Sequence, residues 1–255
     1  MIVKQDRLYS KVSERIYFPA IALASGLESN RTRNGEGRLD YRQGLGELGQ
    51  MQLFAVHRLE EQDEISQTTT VSGTDMSRSR FNTREDVGRL AWQQSRGALK
   101  LQAGVEGAIN VLNSRSRLTV GGAPVILPAA NIRLEEKRAE FFSTAIWRIN
   151  PVLMSELGAR YETSTLSQSG DSTLTKDLSF FKPRWLTTWN PAPGHELRLL
   201  MERQVGQLVF RDFASSTSLN SNIITGGNKN LEPAHSWNIS LAWERHFWGR
   251  GSLVL

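Results

Sequence analysis

The chain has 255 residues, no cysteine, and a formal charge of +5 carried by far more arginine than lysine. The missing cysteines exclude disulfides, thiolate metal sites and cysteine nucleophiles together. The lack of any run of about 18 apolar residues excludes a membrane-crossing helix. The mean hydropathy of −0.38 does not exclude membrane strands, because a barrel hides its lipid-facing residues at alternate positions. The basic residues are scattered singly, often beside Glu or Asp, with no basic helix or tract, which argues against nucleic acid as a partner. The opening residues, Met1 to Asp6, turn polar at once, so an exported protein is expected to have its true beginning elsewhere.

In chain order, the polar stretch 29–37 is predicted to be a loop, and Gly44–Gly49 a tight turn. Gly44-x-Gly46-x-x-Gly49 matches a nucleotide-loop pattern, as Gly35-x-Gly37 does in part. The next residues, Gln50 to Val56, read as a strand, so there is no helix amino terminus to hold phosphate and the motif is a hairpin turn. The stretch 61–86 is a second expected loop, and 95–98 a second turn. Leu99, Leu101, Ala103 and Val105 then alternate with Lys100, Gln102, Gly104 and Glu106, the period of a strand with one apolar face. A third loop is expected over 114–133. Trp147 precedes a turn at Asn150-Pro151. After it Leu153, Leu157, Ala159 and Tyr161 alternate with Glu156, Gly158, Arg160 and Glu162. A fourth loop covers 166–177. Trp185 and Trp189 precede the turn 190–195, and Leu197, Leu199 and Met201 alternate with Glu196, Arg198 and Glu202. A fifth loop runs over 213–235 before Trp237, Ile239, Leu241 and Trp243, whose partners on the other face are Asn238, Ser240, Ala242 and Glu244. The turn 248–251, with Phe247 and Trp248 beside it, comes last.

Short and long connections thus alternate through about twelve strands. Outer-membrane barrels sort their connections in this way, whereas a β-sandwich has no reason to. Tryptophans gather at the short turns, as in one aromatic girdle at a lipid interface. The expected fold class is therefore all-β: an antiparallel, up-and-down transmembrane barrel, partial, spanning residues 1–255 as one region.

Three segments carry a family resemblance. Gly227-Asn228-Lys229-Asn230-Leu231-Glu232-Pro233 runs into the strand Trp237 to Glu244. Phe180 to Pro191 contains Lys182-Pro183-Arg184-Trp185 and the turn after it. Leu157-Gly158-Ala159-Arg160-Tyr161-Glu162 comes earlier. In this order and with these gaps they resemble the barrel of TonB-dependent outer-membrane receptors; Ala234 stands where such receptors usually carry an acid. The resemblance is carried by residues 140–255, while 1–139 share only the strand-and-loop rhythm. It implies the outer membrane of a Gram-negative bacterium, a lipid surround, a plug domain, a TonB-type energy-transducing partner, and uptake of a scarce small molecule such as a siderophore or sugar. It implies no enzyme activity and no cofactor. Such receptors close with about 22 strands, so the chain is expected to be a fragment lacking the plug.

No catalytic, metal or cofactor residue is expected. His57, His195, His235 and His246 sit in a strand, a turn, a loop and a strand end, with no i, i+4 pair. His57 could serve a lipase-like barrel by its face, but no motif surrounds it. Arg160, Glu162, Arg198, Glu202, Arg203, Glu244 and Arg245 are expected to point into a lumen. The stretches Gln62–Arg84 and Ser215–Lys229 are expected as outer contact loops, with the substrate-binding residues unknown. The rival readings are a small self-contained barrel of ten to twelve strands, acting as a passive pore or an enzyme, and a soluble β-rich binding domain.

Overall fold

The computed structural model describes residues 2–15, 24–70, 72–214, 216–218, 223–225, 228, 230–248 and 251–255. The strands are β1 (Ile2–Arg15), β2 (Ala24–Gly44), β3 (Gln50–Thr70), β4 (Gly73–Arg96), β5 (Leu99–Val120), β6 (Ala123–Val125), β7 (Asn131–Asn150), β8 (Leu153–Gly170), β9 (Leu174–Trp189), β10 (His195–Val205), β11 (Ser216–Ser218), β12 (Ile223–Thr225), β13 (His235–Phe247) and β14 (Gly251–Val254). Eleven of them form one antiparallel up-and-down sheet, β1-β2-β3-β4-β5-β7-β8-β9-β10-β13-β14, with the short β6 paired to β5; β11 and β12 form a separate ribbon. The sheet is not closed, and β1 and β14 are its two ends among the described residues.

The five expected turns lie between consecutive strands at one end of the sheet. Gly97 takes φ 58° in the two-residue turn between β4 and β5, where a side chain would be strained. The glycine motif at 44–49 is a turn built around a single 3-10 turn, Gly46–Leu48. Gly49 (φ 95°) closes it where a Cβ would strike the Gln93 carbonyl oxygen at 2.1 Å.

The long-loop expectation needs correcting. Residues 29–37 lie inside β2, and 61–86 form most of a hairpin whose strands β3 and β4 run for 21 and 24 residues with only 71–72 between them. Likewise 166–177 is a hairpin tip between β8 and β9, and 114–120 belongs to β5. A strand needs about 10 residues to cross lipid when tilted, so these strands continue well past a bilayer. There the convex face meets water and the inward positions of β4 are mostly polar, Ser77, Ser79 and Thr83 beside Phe81, so the apolar alternation ends and a polar strand reads like a loop. The connection from 206 to 234 is the longest between strands of the sheet among the described residues; Gly226, Gly227 and Lys229 of the family motif, and most of Ser215–Lys229, lie outside the described residues.

Cross-strand register puts one apolar row through Tyr41, Leu53, Leu90, Val105, Phe141, Tyr161 and Phe181. Leu157, Trp185, Met201 and Ile239 continue that face. These side chains are solvent-exposed, as at Phe141, Leu157 and Leu241, and lipid is the solvent that suits them. The other face is the inside of a curl: Arg211, just after β10, reaches back to Glu64 of β3 at 2.8 Å. The apolar side is therefore convex and the polar side concave. The buried core sits inside the curl, near the end away from the short turns. There Phe81, Leu112, Leu134 and Leu166 receive Phe213 and Ala214 from the long connection.

Candidate functional site

The concave wall is built by alternation. Every second residue of β3 to β10 points inward, and at mid-height many of those positions hold oppositely charged pairs across neighbouring strands. At the centre, Glu140 is only 6% exposed. It accepts from Arg160 at 2.6 Å and from Lys182, whose ammonium also donates to Glu162 at 2.8 Å. Arg184 pairs with Glu156 and reaches Glu202 at 3.4 Å. Arg198 pairs with Glu244 at 2.6 Å and Glu196 at 2.9 Å. On the other side, Arg58 donates to Glu36 (2.8 Å) and Glu85 (3.2 Å). A buried carboxylate such as Glu140 stays tolerable because two cations satisfy its oxygens.

Aromatic rings interrupt the charges, as at Phe54, Phe81 and Phe142. Phe142 folds over Gly104, where a Cβ would lie 2.5 Å from the ring. The guanidinium of Arg89 stacks on Phe142 at 4.4 Å, with Arg160 at 5.6 Å. The glycine is needed for this close approach, and the ring lends the wall an apolar, cation-holding spot.

Beside this network lies a cavity of about 450 Å³, walled by Glu106, Arg138, Glu140, Arg160, Glu162 and Lys182 and roofed by residues 205–210 and Pro233. The roof is tied down at several points. Gly206 N–H donates to the Ala234 carbonyl at 2.7 Å, clasping the base of the long connection. Phe213 is 1% exposed in the core, Arg211 stacks on Phe81 at 4.2 Å, and Lys176 donates to the Leu231 carbonyl at 3.1 Å.

Of the expected lumen residues, Arg160, Glu162, Arg198, Glu202 and Glu244 are on the concave wall. Arg203 and Arg245 are not. Arg203 is opposite Trp237 and Arg245 opposite His195, on the convex side. Counting by two from Met201 and Trp243 places both there; charge alone suggested the other face. His195 and His235 begin strands rather than lying in a turn and a loop. His195 stacks on Trp243 at 5.7 Å and accepts from its indole N–H at 3.3 Å.

His57 is on the convex face, with its Nδ1 2.5 Å from Asp86, a partner 29 positions away that sequence spacing could not reveal. Its neighbours along and across that face, Ala55, Leu59 and Gly37, supply no hydroxyl for a serine-type mechanism. Among the described residues, no three His, Asp or Glu side chains gather at metal-binding distance, and no helix is long and apolar enough to cross a membrane.

The aromatic end matches expectation. Trp147, Trp189 and Trp248 are exposed beside the short turns. Trp185 donates to Ser155 at 3.1 Å, and Trp92 to the Leu48 carbonyl at 2.7 Å. Amphipathic rings with one satisfied polar atom suit a lipid–water boundary.

Solved structures share this fold. The siderophore receptor PiuA from Acinetobacter baumannii superposes with a TM-score of 0.55 at 11% identity, over 90% of this chain and 40% of its own. The copper transporter OprC gives 0.54 at 10% identity, over 97% and 52%. The Serratia marcescens hemophore receptor HasR, solved with its hemophore HasA and heme, gives 0.54 at 12%, over 91% and 44%. The chain therefore spans about half, or less, of the length of these solved relatives. No curated protein sequence matches it. The family model described as "TonB dependent receptor-like, beta-barrel" matches residues 8–255, extending the likeness well before residue 140. With its apolar convex wall, ion-paired concave wall and aromatic girdle, the chain belongs to the TonB-dependent receptor β-barrel family of the Gram-negative outer membrane.

Proposed function

We propose that the chain forms about half of the wall of an outer-membrane receptor that imports a scarce small molecule, energised by a TonB-type partner and gated by a plug domain inside the barrel. The observation that carries this reading is the split between the two faces. The convex wall suits hydrocarbon, and the concave wall carries several cross-strand ion pairs, as suits a hydrated lumen. Charges that satisfy one another across strands keep a wide polar lumen stable, and they leave exchangeable hydrogen-bonding groups for a plug and a passing solute. Receptors of similar fold carry siderophores, copper and heme in their names, so the cargo class is a metal or its chelate, with sugars as a second class. The wall does this by binding and passage, with no covalent step.

Uptake of labelled ferric siderophore, heme, copper and oligosaccharide is measured in cells with and without the gene, each with and without the energy-transducing protein. One substrate should enter only when both are present. Uptake that needs the gene but not the transducer would replace this reading by a passive pore.

A further inference from the structure

On the convex face, beyond the apolar band, β4 and β5 place arginine directly opposite arginine twice in succession. Arg78 is the partner of Arg117, and Arg80 of Arg115. Like charges directly opposite on one face repel, and here two such pairs form a square of four guanidinium groups. One carboxylate answers them: Asp63 accepts from Arg80 at 2.7 Å and lies 3.8 Å from Arg78. Arg115 and Arg117 are exposed, and neither makes an ion pair among the described residues.

Beside the square is a hollow of about 370 Å³ whose wall includes Arg80, Arg115, Arg133, Asn82, Asn113 and Asn131. Arg133 is itself held by Glu135 at 2.8 Å and donates to Asn113 at 3.3 Å. Forked cations beside amide side chains suit phosphate oxygens next to sugar hydroxyls.

The position of the hollow selects the occupant. On β5 the last exposed large aliphatic residue of this face is Ile109, and Arg115 comes six residues later. At about 3.3 Å per residue and a tilt near 40°, the square stands roughly 15 Å above the apolar band. It lies outside the barrel, so cargo in the lumen does not reach it, whereas lipid headgroups beside the barrel do. We infer that this arginine square and asparagine-lined hollow bind the phosphorylated sugar headgroup of a lipid in the surrounding outer leaflet. The occupant rests on the membrane orientation of the family reading; epitope tags at 71–72 and 97–98, scored on intact cells, check that orientation independently.

The protein, purified in non-ionic detergent, is titrated with lipid A carrying both phosphates and with phosphatase-treated lipid A. It should bind the phosphorylated form at least about tenfold tighter, and that preference should shrink as salt is raised. The variant R115Q/R117Q should lose the preference, while Arg203→Gln, on the same face but distant from the hollow, should keep it. Equal binding of the two lipids by the unaltered protein overturns the proposal without recourse to any variant. So does an unchanged preference in R115Q/R117Q with native strand content by circular dichroism, or an equal loss in Arg203→Gln. Displacement of the lipid by equimolar inorganic phosphate would overturn the lipid assignment in favour of a free-anion site.

Discussion

Ser114 is 1% exposed, and its hydroxyl has no hydrogen-bond partner among the described residues. It lies opposite Phe81 at the edge of the Phe213 core. A buried hydroxyl without a partner forfeits its hydration and gains nothing, so Ser114→Ala should leave thermal stability unchanged or raise it, by about 1 kcal/mol at most. A loss of more than that on thermal unfolding in detergent would mean the hydroxyl has a partner in solution. Glu135 behaves oppositely. Hydrogen bonds from Arg133, then Lys137, hold its carboxyl below the ordinary range. Its stabilising effect is therefore present above the ordinary carboxylate pKa and lost as pH falls through the lowered one. Glu135→Gln should remove that part of the acid-side slope of stability against pH and leave the neutral side almost flat. At this scale the sequence was least readable. Arg78 and Arg117 are 39 positions apart and His57 and Asp86 are 29, and only strand register brings such pairs together. Arg203 and Arg245 lie on the convex face because strand parity, not charge, decides the side a residue takes.

For the strands, alternation was a sound guide wherever one face met an apolar solvent and failed where neither did. The stretches 99–105, 153–162, 197–202 and 237–244 were found in place, whereas β3 and β4 above the band read as loop because both faces are mostly polar there. The ends of these hairpins differ in setting, and this can be measured. An epitope tag inserted at 71–72 should be bound by antibody on intact cells, and a tag at 97–98 only after the outer membrane is opened; the reverse result would invert the orientation. The long connection depends on one anchor. Phe213→Ala should cost about 3–5 kcal/mol locally and release the roof, seen as faster limited proteolysis near 206–214 with the sheet intact. Unchanged proteolysis would show that Arg211 and Lys176 hold the roof without Phe213.

For the molecule as a whole, three short segments in order carry the family resemblance in the sequence, the match over residues 8–255 shows the family, and strand register makes these residues one wall. The open edges at β1 and β14 present unpaired backbone groups, which hydrocarbon penalises by several kcal/mol each. These 255 residues expressed alone should therefore give no heat-modifiable band on a semi-native gel. A band that shifts with boiling would show a closed small barrel.

The clasp between Gly206 and Ala234 has a kinetic consequence. It pins both ends of the 206–234 connection together, so Phe213 stays close to its seat and behaves as an intramolecular ligand at an effective concentration on the order of millimolar. Under the proposed uptake function, a solute that needs the same seat would compete with this resident, and its apparent affinity would be its intrinsic affinity reduced by the fraction of time the seat is vacant. Shortening or lengthening the tether would tune that fraction without altering any residue that touches the solute.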